Sequence, residues 1–252
     1  MSVFKKNYSS IYDTLYKHKN YLKESKFINK LIKKYNNKSK SILELGCGTG
    51  SYTKFFLKKF DVTAVDFSSA MLDLAKKKIK SNRVKFIKKN ILNYKSPKKK
   101  YDVIGSFFDV VSYFENNNKF KNFLRLSNYN LNKNGLIFFD FWNKDGVLNL
   151  KPNNRIKYFD VNKFNLIKIT EPNWIKKKDE ILVKTKIFKI YKNSNKYETT
   201  EEVHKMRYYK LNYVINELEN HDFKFLGWHE LNRKKLNLDK CWSILVVAKK
   251  IN

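Results

Sequence analysis

Cysteine and proline are scarce in this sequence. Only two cysteines, Cys47 and Cys241, and three prolines occur among its 252 residues. Two cysteines so far apart allow no disulfide framework beyond one bridge and no metal-binding spacing, so we expect a reducing, cytoplasmic setting and no bound metal. Proline-rich or serine-rich linkers and internal repeats are also missing. The length therefore suits one sizeable core, or one core with a small subdomain.

Long apolar runs are absent as well. None approaches the roughly 18 residues of a membrane span, and the opening residues Met-Ser-Val-Phe-Lys-Lys-Asn-Tyr lack the apolar stretch of a secretory signal. A hydrophobic share of 42% with 16% aromatic residues nevertheless indicates a globular protein rather than a disordered one. We therefore expect a folded protein without a membrane partner.

Acidic residues are few relative to basic ones. The chain has 54 Lys and Arg against 23 Asp and Glu, which gives a formal net charge of +31. Such an excess is typical of proteins with a polyanionic partner, either nucleic acid or a phosphorylated substrate. We favour a compositional bias of the genome, because residues with A/T-rich codons are abundant and no single dense basic stripe is present. An anionic substrate stays compatible with this interpretation.

A glycine-rich segment carries the strongest functional signal. Residues 44–50 read Glu-Leu-Gly-Cys-Gly-Thr-Gly and follow the apolar run 41–43. Glycines permit a tight turn, positive φ values and close approach of the backbone to a ligand. Ser51 stands where we expect an N-cap, with a short helix after it. This order of elements predicts a ligand-binding loop at the end of the first strand.

An acid follows the glycine loop at a defined spacing. Sixteen residues after Gly50, the apolar run Val62–Val65 ends in Asp66, at the same edge of the predicted sheet. An acid at this point can accept hydrogen bonds from both ribose hydroxyls. A dinucleotide site fits less well, because the third glycine comes one residue early and Glu44 would repel a pyrophosphate. Glu44 suits a cationic ligand, such as a sulfonium that carries an α-amino group.

The loop, Asp66 and the helix opening Phe67-Ser68-Ser69-Ala70-Met71-Leu72 resemble motif I and the ribose-binding acid of the class I S-adenosylmethionine-dependent methyltransferases. The resemblance implies S-adenosyl-L-methionine as cofactor and S-adenosyl-L-homocysteine as product. A plain glycine turn is the alternative. Our candidates for cofactor binding are Tyr21, Glu44, Gly46, Cys47, Gly48, Gly50, Asp66, Phe67, Met71, Asn90, Ile91 and Phe107.

The order of predicted elements supports an α/β fold. Strands and helices alternate over residues 41–142, which is typical of a parallel sheet with helices on both faces. Strand-like alternation over 155–209 predicts an antiparallel β insertion after strand five. A helix at 211–220 and two final strands follow, so the resemblance implies a Rossmann-like, seven-stranded, mostly parallel sheet with one antiparallel strand. We divide the chain into a helical lid (1–36), a methyltransferase core (37–145 and 211–252) and the insertion (146–210), which we place on the substrate or dimer side.

Methyl transfer is an in-line displacement, so the enzyme must align the acceptor and exclude water. Tyr113, just past strand four, is our main catalytic candidate, although a packing role is equally compatible. Tyr12 shares a helix face with Tyr16 and either closes over the cofactor or packs on the sheet edge. His204 could act as a base, while strand histidines are often structural. The candidate substrate residues are Phe108, Asp140, Trp142 and Arg207; Asp140 could attract an amine or cap a loop.

Nearly the whole chain is similar to small bacterial methyltransferases that N-methylate amino sugars carried on nucleotide diphosphates. The matching stretches are Tyr12-Asp13, Tyr21, the glycine loop, Phe108–Phe114, Asp140-Phe141-Trp142 and Glu201–Tyr209. The resemblance implies that the first aromatic region and the segment after strand four flank the acceptor. It also implies that the insertion forms the sugar-nucleotide side and mediates dimers in some members, which leaves a homodimer open here.

Two positions depart from that family. Tyr113 stands where those enzymes place a histidine, and Asn90 stands where many carry an acid that holds the adenine amine. The Tyr113 change leaves both N- and O-methylation open. Asn90 and Ile91 can still contact adenine through the amide and the backbone.

Three functions therefore compete. The first is a methyltransferase acting on a small-molecule acceptor, a sugar or sugar nucleotide. The second is an RNA methyltransferase, which the charge favours; the lack of an Asn-Pro-Pro-Tyr motif after strand four and of an RNA-binding appendage argues against nucleic acid as partner. The third is a cofactor-binding protein without activity, against which the intact Glu44, glycine loop and Asp66 argue.

Overall fold

The computed structural model describes residues 3–97, 100–175, 178–231 and 237–251. Its helices are α1 (Lys6–Leu15), α2 (Tyr21–Tyr35), α3 (Thr53–Phe56), α4 (Ser69–Lys78), α5 (Asn117–Asn130), α6 (Lys144–Leu150) and α7 (Leu211–Glu219). Its strands are β1 (Ser41–Leu45), β2 (Asp61–Asp66), β3 (Val84–Lys88), β4 (Tyr101–Ser106), β5 (Leu131–Asn143), β6 (Arg155–Val161), β7 (Phe164–Ile175), β8 (Glu180–Tyr191), β9 (Tyr197–Tyr209), β10 (Phe223–His229) and β11 (Ser243–Lys250). Short 3₁₀ turns lie at Ile91–Asn93, Val110–Tyr113 and Leu238–Lys240.

The core sheet runs in the order β3-β2-β1-β4-β5-β11-β10. Strands β1 to β5 pair in parallel, and β11 pairs antiparallel with both β5 and β10. The carboxyl ends of β1, β2, β4 and β5 therefore meet at one edge of the sheet. The predicted α/β class, with a mostly parallel sheet and a reversed strand, is confirmed.

The insertion after β5 is an antiparallel meander of β6, β7, β8 and β9. Its last strand returns to the core, where Trp142 pairs with Tyr208 and Asn143 with Tyr209 at the end of β5. The meander therefore continues from the ligand-binding edge of the sheet. The predicted antiparallel insertion is confirmed as part of this fold.

Helices cover both faces of the parallel strands. All five residues of β1 are buried, as in a strand packed on both sides. Because side chains alternate across a strand, Leu43 and Leu45 join one apolar cluster, together with residues of α5 and α7. Ile42 points the other way, into a second cluster with residues of α2 and α3. Among the described residues, no helix is both long and apolar enough to cross a bilayer.

Local differences from the sequence-based expectations have physical causes. Helix α6 is missing from our prediction, because seven residues are too few to show a helical period. Gly146 within it lowers helix propensity, yet a Cβ there would lie 1.9 Å from the Cys241 carbonyl oxygen. The predicted N-cap at Ser51 is wrong: Tyr52 takes that position without a side-chain cap bond. Ser51 Oγ instead lies 3.3 Å from Thr49 Oγ1.

Candidate active site

The glycine loop joins β1 to α3 and turns back on the end of β2. The backbone N–H groups of Gly46 and Cys47 donate to the Val65 carbonyl oxygen at 2.8 and 3.1 Å. Gly46 and Gly48 have φ values of +78° and +53°. A Cβ at Gly46 would lie 2.7 Å from Val110, whereas one at Gly48 would meet nothing within 4 Å. The backbone at Gly48 thus faces open space, as a ligand-binding turn requires.

Asp66 is held directly beside this loop. One carboxylate oxygen accepts the N–H of Gly48 at 2.8 Å, and the other accepts the N–H of Ser68 at 2.8 Å. Burial raises the pKa of the Asp66 carboxyl, and these backbone donors oppose that rise. The backbone N–H of Phe67 also favours the charged carboxylate. A carboxylate has about four acceptor sites, so the acid is oriented without being saturated.

Glu44 lies beneath the loop rather than at its mouth. Its side chain accepts a hydrogen bond from Thr53 Oγ1 at 2.5 Å and is only 2% exposed. Burial raises the pKa of Glu44 to about 8, so at neutral pH the group is largely uncharged. Burial thus argues against a charged Glu44 at the loop, and its role toward a cationic ligand stays a prediction. Glu44 ties β1 to the first turn of α3 and lies outside the cavity.

One cavity of about 870 Å³ extends from the glycine loop to the meander. Most of the candidate residues line it: Tyr12, Tyr21, Gly46, Cys47, Gly48, Asp66, Phe67, Met71, Asn90, Ile91, Phe107, Phe108, Tyr113, Trp142 and His204. Four candidates do not line it: Glu44, Gly50, Asp140 and Arg207. A Cβ at Gly50 would lie 2.7 Å from Ile79 and 3.4 Å from Ala75, so only glycine fits there.

The N-terminal segment 3–16 closes the cavity from above. The Glu202 carboxylate accepts the backbone N–H of Phe4 at 2.8 Å and of Lys5 at 2.9 Å. Asp13 accepts the hydroxyl of Thr49, in the glycine loop, at 2.6 Å. The segment is therefore tied to the meander at one end and to the glycine loop at the other.

Aromatic rings line the inner face of this segment. The rings of Tyr12 and Tyr16 lie 4.7 Å apart, as their four-residue spacing predicts. Tyr16 also packs edge-on against Phe108 at 5.0 Å. Burial raises the pKa of Tyr12 well above its usual value, so its hydroxyl stays protonated. The segment thus supplies an apolar cover with neutral hydroxyl groups.

Tyr113 and His204 meet across the cavity. The Tyr113 hydroxyl lies 2.9 Å from His204 Nδ1, and His204 Nε2 has no hydrogen-bond partner among the described residues. Burial, and secondarily the charge of Lys168, lowers the pKa of His204 to about 4. Burial raises the pKa of Tyr113 well above its usual value. The pair is therefore neutral at physiological pH, and Nε2 is an unsatisfied polar atom beside the cavity.

Asp140 supports the turn after β4 instead of reaching the cavity. Its two oxygens accept the backbone N–H groups of Phe108 at 3.0 Å and Asp109 at 2.7 Å. Both of those residues have left-handed φ values, +68° and +61°, which are uncommon for residues other than glycine. Burial, and then the neighbouring Asp109, raises the pKa of Asp140 to about 8. Of the two roles that the sequence leaves open for Asp140, the loop cap agrees with this geometry, while the substrate role stays a prediction.

Arg207 also lies outside the cavity. As the strand period predicts, Glu202 and His204 share one face of β9 and Arg207 points to the other. Its guanidinium donates to the Glu115 carbonyl oxygen at 3.3 Å and lies 5.5 Å from the centre of the Tyr209 ring. Arg207 thus braces the back of the site, and its contact with substrate stays a prediction.

Several cavity residues were not among our candidates: Phe4, Tyr8, Asp109, Lys119, Lys168, Lys205 and Trp242. Asp109 belongs to the segment Phe108–Phe114, which the sequence analysis names. Its position as an acid directly after a strand is the signal that could have identified it. The lysines come from distant elements and share no sequence pattern. Only the fold brings them to one cavity.

Comparison with known proteins agrees with this geometry. Residues 42–135 match the family model described as a methyltransferase domain. A malonyl-[acyl-carrier protein] O-methyltransferase from Priestia megaterium is 45% identical over 82 residues, which cover 31% of this chain and 30% of that protein. A ribosomal RNA small subunit methyltransferase A from Mesomycoplasma hyopneumoniae is 33% identical over 84 residues, 32% of each chain. The chain thus spans about a third of the length of these curated relatives.

Solved structures match over almost the whole chain. An S-adenosylmethionine-dependent methyltransferase from Clostridium acetobutylicum has a TM-score of 0.83 at 23% identity and covers 98% of both chains. A sugar N-methyltransferase from Streptoalloteichus has a TM-score of 0.83 at 14% identity, with 100% of this chain and 97% of that chain covered. Residues 42–135 thus resemble a methyltransferase domain, and the whole chain has the fold of the class I S-adenosylmethionine-dependent methyltransferases.

Proposed function

We propose that this protein transfers a methyl group from S-adenosyl-L-methionine to an amino or hydroxyl group of a small molecule, a sugar or a sugar nucleotide. The observation that carries the proposal is the single cavity, which has the glycine loop and Asp66 at one end and the Tyr113–His204 pair at the other. A donor and an acceptor bound at these two ends would meet inside one enclosed space.

The donor end fits an adenosyl group. Gly48 leaves room beside an exposed backbone, and Asp66 keeps acceptor sites for ribose hydroxyls. Phe67, Met71 and Ile91 supply apolar surface, and Asn90 lies beside them. The Asn90 side-chain oxygen already accepts the N–H of Leu92 at 2.9 Å, so the group that Asn90 offers to a ligand is its amide NH₂ donor. When bound, the donor supplies an activated methyl group with a neutral thioether as leaving group.

The acceptor end offers neutral polar groups in a cover that excludes water. The Tyr113–His204 pair can orient an acceptor and take up the proton that it loses, because His204 is unprotonated and Nε2 lacks a partner. Tyr12 contributes a protonated hydroxyl above the same space. We propose catalytic roles for these three residues and substrate contacts for Phe108 and Trp142.

Sugar nucleotides are the acceptor class that we favour. The sugar N-methyltransferase from Streptoalloteichus shares the complete fold, meander included. Lys119, Lys168 and Lys205 line the cavity. Lys119 and Lys205 pair with Glu115 and Glu180, so Lys168 is the one of the three that best suits an anionic diphosphate. We retain the proposed division into a lid (1–36), a core and an insertion (146–210) that contributes to the substrate side and to a homodimer. Residues 1–2, 98–99, 176–177, 232–236 and 252 of these segments lie outside the described residues.

Binding and transfer assays test this function separately. Titration calorimetry with S-adenosyl-L-methionine and S-adenosyl-L-homocysteine should give saturable binding, whereas a nicotinamide or a flavin should give none. Transfer of a labelled methyl group is then measured to a nucleotide-linked amino sugar and to its hydroxyl counterpart. Binding of a nicotinamide or flavin in place of the sulfonium would reject the proposal. Cofactor binding without transfer to any acceptor would favour a binding protein without activity.

RNA is the second candidate acceptor. The net charge of +31 and the partial match to a ribosomal RNA methyltransferase favour it. When lysines and arginines of a protein neutralise several phosphates of an RNA, the binding weakens steeply as salt increases. Nanomolar-scale binding with a steep salt slope, and methyl transfer to that RNA, would replace the small-molecule proposal.

A further inference from the structure

Asp109 is a half-buried acid that lines the cavity directly after β4. Its Oδ1 accepts the Ser243 hydroxyl at 2.5 Å. It forms no salt bridge with any residue in the described ranges, although the chain carries 54 Lys and Arg. In so basic a protein, a cavity carboxylate without a salt-bridge partner among the described residues is a candidate for binding a cation from outside.

The other carboxylates along the cavity are already engaged. Asp66 accepts two backbone N–H groups at the donor end. Glu115 pairs with Lys119 at 2.6 Å. Asp109 differs from both, because it is held by the Ser243 hydroxyl and the Trp142 indole and forms no salt bridge with a described residue.

Two tryptophans flank the same space. The rings of Trp142 and Trp242 lie 5.0 Å apart at an angle of 72°, and both residues line the cavity. Indole faces attract organic cations, and the attraction grows when the site is desolvated. A carboxylate next to two indoles is the chemistry that recognises an ammonium group.

The backbone holds Asp109 in place. Its left-handed conformation is fixed by the bond from its N–H to Asp140, and Ser243 orients its carboxylate. Burial raises the pKa of Asp109, while Ser243, Lys19 and the Trp142 indole oppose the rise. The group is thus positioned in advance.

Building on the proposed function, we propose that Asp109 binds the ammonium form of an amine acceptor and accepts its proton. In this step an N–H bond of the ammonium breaks, the proton moves to the Asp109 carboxylate, and the bonding electron pair stays on nitrogen. The nitrogen becomes a neutral nucleophile at the acceptor end of the cavity. The acceptor class is accordingly an amine rather than an alcohol.

Ligand binding without turnover tests this assignment. The probes are cyclohexylammonium and cyclohexanol, which share a ring and differ in the polar group, titrated by ligand-observed NMR at pH 7 into enzyme saturated with S-adenosyl-L-homocysteine. Wild type should prefer the ammonium probe by about tenfold or more, as expected for a hydrogen bond to a charged group. Asp109→Asn keeps the shape and the Ser243 bond and should remove the preference. Asp160→Asn, the same charge change at an exposed site, should retain it.

The outcomes separate the two proposals. Failure of S-adenosyl-L-homocysteine to bind wild type would reject the proposed function, and this inference with it. Normal binding of that product without an ammonium preference in wild type would overturn the role of Asp109 alone. A preference that survives in Asp109→Asn, with product affinity unchanged, would also overturn it.

Discussion

The Tyr113 hydroxyl lies 2.9 Å from Nδ1 of His204, and the two residues are 91 positions apart in the chain. Tyr113 belongs to the turn after β4, in the core, and His204 belongs to β9, in the meander. The acceptor end of the cavity is therefore assembled from both parts of the fold. Variants on either side should change the same chemistry.

Tyr113→Phe should lower turnover more than donor affinity. The change removes the hydroxyl that bonds His204 but keeps the ring that lines the cavity. We expect turnover to fall by about one to two orders of magnitude, as for loss of a group that assists proton transfer, with donor affinity unchanged by calorimetry. Tyr158→Phe, at a residue that is 75% exposed, is the control. Unchanged turnover in Tyr113→Phe would make Tyr113 a packing residue.

Asp66→Ala should abolish donor binding while the fold is retained. The carboxylate is the group that we assign to the ribose, and charge-assisted hydrogen bonds are the strong ones. The affinity should fall by about a hundredfold or more, measured by calorimetry beside circular dichroism. Asp61→Ala lies at the exposed opposite end of β2 and should bind normally. Equal donor affinity in the two variants would contradict the assignment of Asp66 to the donor site.

Glu44→Gln should make the protein less sensitive to alkaline pH. Burial holds the pKa of folded Glu44 near 8, above the roughly 4.3 of an unfolded glutamate. The stability contributed by the neutral form is complete below the unfolded pKa and is lost as pH rises through 8. The variant should therefore lose less stability than wild type between pH 5 and pH 9, by an amount on the order of a few kcal/mol.

The measurement for Glu44 is the free energy of unfolding in urea at both pH values. Gln keeps an oxygen for the Thr53 hydroxyl, so the comparison isolates ionisation. Asp140, whose pKa is also raised, is present in both proteins, so its contribution to the pH dependence cancels in the comparison. Parallel pH dependence of wild type and variant would show that Glu44 is ionised in the folded protein.

Glu202→Gln should loosen the N-terminal segment. An NH₂ group would face one of the backbone N–H groups of Phe4 and Lys5 that the carboxylate now accepts. Hydrogen exchange over residues 4–15 should speed up by about tenfold, because a buried charged hydrogen bond is lost. Glu201→Gln is the matched control, since the neighbouring side chain is exposed and pairs with Lys186 instead. Equal exchange rates in the two variants would show that Glu202 does not hold the N-terminal segment in place.

The donor end of the site could be predicted from sequence because its signals are local. The glycines 46 and 48 and the acid 66 follow directly from strand ends, and the parallel sheet brings those ends together. Asp140 shows where such reasoning stops: its role depends on two left-handed residues more than thirty positions away. Glu44 shows a second limit. Its charge depends on burial beneath the loop, and the spacing of residues in a sequence does not indicate burial of that kind.

The N-terminal segment covers the cavity along its length. It bonds the meander through Phe4 and Lys5 and the glycine loop through Asp13, so one element contacts both ends of the cavity. Motion of this element would therefore affect both the entry of either reactant and the departure of the spent thioether. If that motion is slower than the displacement, residues that never touch a reactant will set the catalytic rate.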